Sequence, residues 1–174
     1  MPKIHLLRHY KVKDPIKKKL NSKEFNSWVE LYDSYDLEYK NLDIPKGIKK
    51  VFVSTQNRAI KTAEFLKLDY ELEPLVVEVE AKSLFSSDFR FSKSFWLILG
   101  RISWFFNFCA SERKKESKKR AKEFIKKCLE SEGDVLVVSH GLFLKVLIAE
   151  FKKLGFYGEV DFRVTNAKIY TLKK

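Results

Sequence analysis

The chain has 174 residues, of which 45 % are apolar and two are cysteines. This length accommodates one domain with a sizeable core, and we predict a single domain over residues 1–174. The composition excludes a disordered chain, and so few cysteines exclude a disulfide framework. Lys and Arg number 35 against 23 Asp and Glu, which gives a net charge of +12. So basic a chain attracts anions, such as phosphorylated metabolites, nucleic acid or acidic membrane surfaces.

The first nine residues contain an apolar stretch too short for a secretory signal, without a small-residue cleavage site. We therefore expect a cytoplasmic protein in which Cys109 and Cys128 are reduced thiols packed in a core. The apolar run at 95–106 is far below the about 20 residues that a membrane span needs, and Arg101 interrupts it. No transmembrane helix is expected, whereas a helix that lies on a membrane or lines a pocket stays open.

Short apolar runs alternate with longer helical patterns along the chain. Helices are predicted after Ser22, which would cap the first, from near Asn57, and after Gly141. Extended segments are predicted at 4–7, 51–53, 75–77, 134–138, 160–164 and 167–172. This alternation predicts an α/β fold, a three-layer sandwich with a mostly parallel central sheet flanked by helices.

Polar clusters follow three of these strands. Arg8 and His9 follow the first strand, Ser54 and Arg58 the second, and His140 the strand at 134–138. The carboxyl ends of parallel strands meet at one edge of a sheet, where binding sites form. Two guanidinium groups there can hold a phosphoryl group. A neutral imidazole can attack its phosphorus while a second imidazole donates to its oxygens.

Together the three clusters resemble the motifs of the histidine phosphatase superfamily, also called the phosphoglycerate mutase-like family. The first motif of that family is Arg-His-Gly, and this chain has Arg8, His9 and Tyr10. The second is Ser, then Arg-Ala and Thr-Ala, and residues 54–63 match it in full. The third is Ser-His-Gly, which stands at 139–141. The altered glycine position could narrow the pocket, contact substrate or point away from it.

The resemblance extends from residue 3 to about residue 170 and implies a metal-independent phosphoryl transfer in two steps. Arg8, Arg58 and His140 would bind the phosphate, and His9 would become a phosphohistidine. No cofactor is expected, and the chain has no Cys pair or Asp/His cluster at metal-ligand spacing. Nearby cations also favour the neutral imidazole that a nucleophile must be.

The resemblance also requires a carboxylic acid that protonates the leaving oxygen and then activates water. Glu78 fits the expected position after the third extended segment best. Glu80 lies two residues further, so both would face the same side of a strand. We assign the acid to Glu78 and regard Glu80 as a pocket-lining or ion-paired companion. The choice between the two depends on their geometry in the folded protein.

Further residues are candidate substrate contacts. Lys11 and Lys13 stand in the loop where mutase-like members of the family have an Asn, and could hold a second anionic group of the substrate. Tyr10 and Glu80 are further candidates. Arg101 is another, because a charge inside an apolar run usually has a partner or an anionic ligand.

The segment at about 83–131 is expected to be an insertion, with a helical, aromatic-rich cap at 83–110 over the pocket. Its second part, 112–131, is dense in Lys and Arg. The apolar residues of that part recur at helical spacing and predict one buried stripe: Ala121, Phe124, Ile125, Cys128 and Leu129. The lysines then form a solvated face, so we do not expect a nucleic acid partner.

The leading interpretation is a phosphomonoesterase that acts on a small phosphorylated metabolite or a phosphoprotein. Two alternatives stay open. One is a phosphoglycerate-type mutase, and the other is a non-catalytic module that keeps the fold and binds anions or a membrane surface.

Overall fold

A computed structural model of the protein describes residues 2–108 and 112–174. Its strands are β1 (Ile4–Arg8), β2 (Lys11–Val12), β3 (Leu37–Glu38), β4 (Ile48–Val53), β5 (Glu71–Leu72), β6 (Asp134–Ser139) and β7 (Ile169–Leu172). Five of them form one sheet in the order β5-β4-β6-β1-β7. All neighbours in this sheet are parallel except β7, which runs antiparallel to β1. Strands β2 and β3 form a separate antiparallel pair.

The helices are α1 (Ser22–Leu31), α2 (Asn57–Phe65), α3 (Lys93–Phe106), α4 (Lys114–Glu130) and α5 (Gly141–Lys153). Short 3-10 helices lie at Tyr32–Ser34 and Pro74–Val76. No helix among the described residues is long and apolar enough to cross a membrane.

Side chains alternate across the sheet and bury one helical layer on each face. On one face, Ile4 and Leu6 pack with apolar residues of α4 and α5, such as Phe124 and Leu147. On the other face, Leu7 and the central residues of β4 and β6 pack against Ala59 and Ala63 of α2. The predicted α/β sandwich with a mostly parallel sheet is therefore confirmed.

The segment at 83–131 contains two helices of different character. Helix α4 buries the predicted stripe against the sheet and α5, although Leu129 stays partly exposed at its edge. Helix α3 instead packs Trp96 onto Phe25 of α1, beyond the carboxyl ends of the strands. Cys128 is free and buried, and burial raises its pKa far above the usual range. Cys109 lies outside the described residues.

The extended segment predicted at 75–77 is wrong. Pro74 lacks an N–H and fixes its backbone angle, which favours the start of a short helix over a strand. The Glu73 carboxylate accepts a hydrogen bond from the Leu75 amide at 3.0 Å and stabilises that turn. The strand that pairs with β4 here is the two-residue β5.

Two other predictions need correction. The segment 160–164 forms a loop, because the Asp161 carboxylate accepts hydrogen bonds from Lys168 and the Tyr170 hydroxyl. The N-cap of α1 is Asn21, which exchanges hydrogen bonds with Glu24 in a capping box. Ser22 donates its hydroxyl to the carbonyl of Ser87 instead.

Candidate active site

The carboxyl ends of β1, β4 and β6 lie side by side and bring the three polar clusters together. The register pairs Arg8 with Ser139 and Val53 with Val138, so the residues that follow these strands are neighbours. They border a cavity of about 340 Å³ whose walls include Arg8, His9, Gln56, Arg58 and Glu78. A wider groove over the lysine face of α4 contains none of these groups.

One ring nitrogen of His9 has no hydrogen-bond partner among the residues that the structure describes. Its Nδ1 lies 2.6 Å from the carbonyl oxygen of Tyr10, which can only accept, so Nδ1 carries the proton. The lone pair is then on Nε2. Burial, reinforced by the charge of Arg58, holds the pKa of His9 well below its usual range. The ring is therefore neutral at pH 7 and suited to nucleophilic attack.

The backbone around His9 is fixed from three sides. The His9 amide donates to the Ser139 carbonyl at 3.0 Å, and the Asn166 side chain donates to the His9 carbonyl at 2.8 Å. The Thr62 hydroxyl accepts from the Tyr10 amide at 3.0 Å, so the Thr of the second motif supports the turn of the first. These contacts limit the freedom of the His9 ring before substrate binds.

Arg58 is held by three protein acceptors. Its Nε donates to Nδ1 of His140 at 3.1 Å, its Nη1 to Asp33 at 2.8 Å, and its Nη2 to Gln56 at 2.9 Å. A guanidinium group has five N–H donors, so two remain for a ligand. The Asp33 carboxylate also accepts from the amides of Asn57 and Arg58 at the start of α2.

His140 is fully buried, with both ring nitrogens engaged by protein. Nδ1 accepts from Arg58, so Nε2 carries the proton and donates to the Ser54 hydroxyl at 2.7 Å. Burial and the neighbouring Arg58 hold the pKa of His140 well below its usual range. The expected donation from this ring to a phosphate oxygen does not fit the arrangement, because the ring has no N–H left to donate. The ring instead accepts the hydrogen bond from Arg58.

Arg8 lies against the first residue of α5. Its Nη1 donates to the Val164 carbonyl at 2.7 Å, whereas its buried Nε has no protein partner among the described residues. Burial lowers the pKa of Arg8. A Cβ on Gly141 would lie 3.0 Å from the central carbon of the guanidinium, so glycine at this position gives Arg8 its room.

Glu78 points its carboxylate at the N-terminus of α5. Oε1 accepts from the amides of Val79 and Phe143 at 3.0 and 2.9 Å, and Oε2 accepts from the Leu142 amide at 3.1 Å. The Glu78 amide in turn donates to Gln56, the same side-chain oxygen that accepts from Arg58. Gln56 therefore contacts both Glu78 and Arg58 and supports the two residues together.

Comparisons with known proteins agree with this arrangement. A sequence model of the histidine phosphatase superfamily (branch 1) matches residues 43–173. The chain belongs to the histidine phosphatase superfamily.

Several solved structures share the fold of this chain at low sequence identity. One is an open reading frame product of Mycobacterium tuberculosis, with 17 % identity, a TM-score of 0.60, and 99 % of this chain and 96 % of that chain covered. Another is a mycobacterial glucosyl-3-phosphoglycerate phosphatase, with 15 % identity, a TM-score of 0.57, and coverage of 99 % and 90 %. A third is Bacillus stearothermophilus YhfR, with 20 % identity, a TM-score of 0.55, and coverage of 97 % and 96 %. No curated protein matches the sequence.

The superfamily match begins after Arg8 and His9, so their place in the site rests on the geometry above. Of the other candidates, Glu80 and Arg101 line the cavity. In the described part of the chain, no group of three or more His, Cys, Asp or Glu side chains could hold a metal ion.

Tyr10, Lys11 and Lys13 are not brought to the cavity of this superfamily member. Tyr10 is fully buried, donates its hydroxyl to the Lys40 carbonyl at 2.5 Å and packs edge-on against Phe65. Of the three possibilities raised by its replacement of glycine, it therefore points away. Lys11 pairs with Glu38 at 2.9 Å and Lys13 with Asp36 at 2.8 Å along the β2–β3 pair.

Two residues of the site give no signal in the sequence. Asp33 caps α2 from a different part of the chain, so no local spacing marks it as a partner of Arg58. Gln56 stands inside the second cluster but belongs to no motif, and its role comes from the amide and guanidinium that converge on it.

Proposed function

We propose that the protein is a phosphomonoesterase that works through a phosphohistidine at His9, with Glu78 as proton donor. The observation that carries this is the state of His9. Its ring is neutral, its Nδ1 proton is committed to a carbonyl, and its Nε2 is free in a cavity that also contains Arg8 and Arg58. A small phosphorylated compound suits a cavity of about 340 Å³ better than a folded phosphoprotein does.

In the first step the phosphoryl group is held by the free donors of Arg8 and Arg58. These cations stabilise the charge on the equatorial oxygens. His9 Nε2 attacks phosphorus as the bond to the ester oxygen breaks. Glu78, in its protonated form, gives its proton to the departing alcohol. Oε2 suits this task, because it accepts one amide where Oε1 accepts two.

In the second step water attacks the phosphohistidine. Glu78, now ionised, takes a proton from that water as the bond between phosphorus and His9 breaks. Phosphate leaves, His9 returns to the neutral form and Glu78 is protonated again. The arginines supply the positive charge, so the proposed cycle needs no metal.

The test is hydrolysis of para-nitrophenyl phosphate in the presence of EDTA from pH 5 to 8, for the natural protein and for His9→Ala. We expect turnover that the substitution abolishes. Equal turnover in both proteins would overturn the assignment of His9. Turnover that requires a 2,3-bisphosphoglycerate primer would support the mutase alternative, and binding of anionic vesicles without any turnover would support the non-catalytic one.

A further inference from the structure

A second cavity adjoins the first on the side of α5. It has a volume of about 430 Å³ and shares Arg8, Glu78, Leu97 and Arg101 with the first cavity. Lys145 of α5 and Arg163, in the loop before β7, complete its cationic wall. Three separate elements, α3, α5 and that loop, therefore each direct one cation into the same space beside the proposed proton donor.

These three cations have no carboxylate partner. Within residues 2–108 and 112–174, the side chains of Arg101, Lys145 and Arg163 make no hydrogen bond or ion pair, although Lys145 lies 5.0 Å from the centre of the Phe162 ring. Some lysines elsewhere pair with a nearby acid, as Lys168 does with Asp161 at 2.8 Å, whereas others, such as Lys126 on the exposed face of α4, do not. What distinguishes this cavity is that three unpaired cations from separate elements converge on it beside Glu78.

The cations also affect one another. Partial burial lowers the pKa of Lys145, and the charges of Arg101, Arg163 and Arg8 lower it further. Like charges that converge without a partner are unfavourable until an anion lies between them. Glu78, the one carboxylate among the described residues that line this cavity, is already held by backbone amides.

We propose that this cavity is a second anion subsite, so that the substrate is a phosphomonoester that carries another anionic group, held by Arg101, Lys145 and Arg163. The inference rests on the proposed function. The second anion site is therefore placed in this cavity and not at Lys11 and Lys13, whose side chains pair with acids of the β2–β3 pair. Arg101 borders both cavities and marks where the two parts of one substrate would join. A carboxylate and a second phosphate share the necessary chemistry.

The test uses pairs of substrates that differ in one anionic group. 3-Phosphoglycerate is compared with glycerol 3-phosphate for a carboxylate, and fructose 1,6-bisphosphate with fructose 6-phosphate for a phosphate. We expect kcat/KM to be at least about 10-fold higher for the doubly anionic member of one pair. The pair that shows the preference identifies the second group. Ratios near one in both pairs would overturn the subsite.

Arg101→Gln, Lys145→Gln and Arg163→Gln are each expected to lower that ratio by about 3- to 10-fold, because each removes one contact with the second anion. Lys145→Glu is expected to lower it more than Lys145→Gln. Lys126→Gln, the same charge change on the exposed face of α4, serves as the control and should leave the ratio unchanged. Equal ratios in the cavity variants and the control would contradict the proposal.

Failure of the proposed function gives a different result. If the natural protein turns over neither para-nitrophenyl phosphate nor any of the four substrates, the phosphatase proposal fails. The subsite is then tested by calorimetric titration of the same four compounds. A preference in affinity for a doubly anionic compound that Lys145→Gln reduces and Lys126→Gln keeps would support it. Equal affinities within each pair would overturn it as well.

Discussion

The carboxyl ends of β1 and β6 each carry a buried histidine, and the two rings lie 5.1 Å apart between their centres. Burial and the charge of Arg58 lower the pKa of both. Their hydrogen bonds differ. His9 donates a hydrogen bond from Nδ1 to a carbonyl, and its Nε2 has no partner among the described residues, whereas both ring nitrogens of His140 are engaged, by Arg58 and Ser54. The partners of each ring nitrogen, and not burial or pKa, therefore distinguish the proposed nucleophile His9 from His140.

The largest expected effect is the loss of activity and of the covalent phosphoenzyme when His9, but not His140, is replaced. His9→Ala should lose activity by at least about 10³-fold, because the attacking atom is gone. Brief mixing with substrate and intact-mass measurement should show one added phosphoryl group in the natural protein and none in His9→Ala. His140→Ala should still form the phosphoenzyme, only more slowly. A phosphoenzyme in His9→Ala would reverse the assignment.

A double-mutant cycle tests whether His140 acts through Arg58. His140→Ala should lower kcat/KM by about 10²-fold and weaken inhibition by inorganic phosphate, because Arg58 loses its Nε acceptor. Arg58→Ala should cost as much or more. The double variant should be little worse than Arg58→Ala alone, since residues that act as a unit are not additive. Fully additive losses would mean that His140 contacts the phosphate itself.

Stability should depend on pH in the range where free histidine titrates. His9 and His140 stay neutral in the folded protein below pH 6.5, whereas the unfolded chain takes up protons there. The free energy of unfolding should thus be highest above pH 6.5 and fall towards pH 5.5, by up to about 1.4 kcal/mol per pH unit for each histidine. His5, whose pKa burial also lowers, acts in the same direction.

Urea unfolding at several pH values from 7.5 to 5.5 measures this slope. The His140→Asn variant provides the comparison, since it removes one of the three histidines. Its slope should be smaller than that of the natural protein, whatever its stability at pH 7. An unchanged slope would show that His140 is not held neutral in the fold.

The smallest expected effect concerns the other support of Arg58. Asp33→Asn keeps the shape and weakens the charged contact with Nη1, so kcat/KM should fall by about 3- to 10-fold. Asp33→Ala also removes the cap of α2 and should destabilise the fold by about 1 kcal/mol. Thermal unfolding alongside kinetics separates the two roles. Asn57→Ala, whose side chain makes none of these bonds, is the matched control.

The parts of the fold that the sequence predicts are those decided by continuous apolar runs. The strands at 4–7, 51–53 and 134–138 are buried on both faces, and their composition leaves few alternatives. The segments at 75–77 and 160–164 have similar apolar residues but do not form strands. Pro74 and the hydrogen bonds that Asp161 accepts determine the conformation of those segments. A count of apolar residues does not contain this information.

The site likewise contains residues that the sequence identifies and contacts that it does not. Arg8, His9, Arg58 and His140 could be named from their positions after strands, and Glu78 from the resemblance to the family. The structure brings all five together. The hydrogen bonds of His140 could not be predicted, because they depend on the rotamers of Arg58 and Ser54. Lys145 and Arg163 were missed for a related reason. They approach Arg101 only through the placement of a helix and a loop that are distant in the chain.

One short stretch at the junction of β6 and α5, residues 139–143, contacts every part of the proposed chemistry. It supports the His9 backbone, orients Arg58, makes room for Arg8 and holds the Glu78 carboxylate. Helix α3 and the loop before β7 instead supply Arg101 and Arg163. The groups proposed for phosphoryl transfer and most of those proposed to select a substrate therefore stand in different segments, with Lys145 of α5 as the exception. Substitutions in α3 and that loop would then change the substrate and leave the groups proposed for the reaction unaltered.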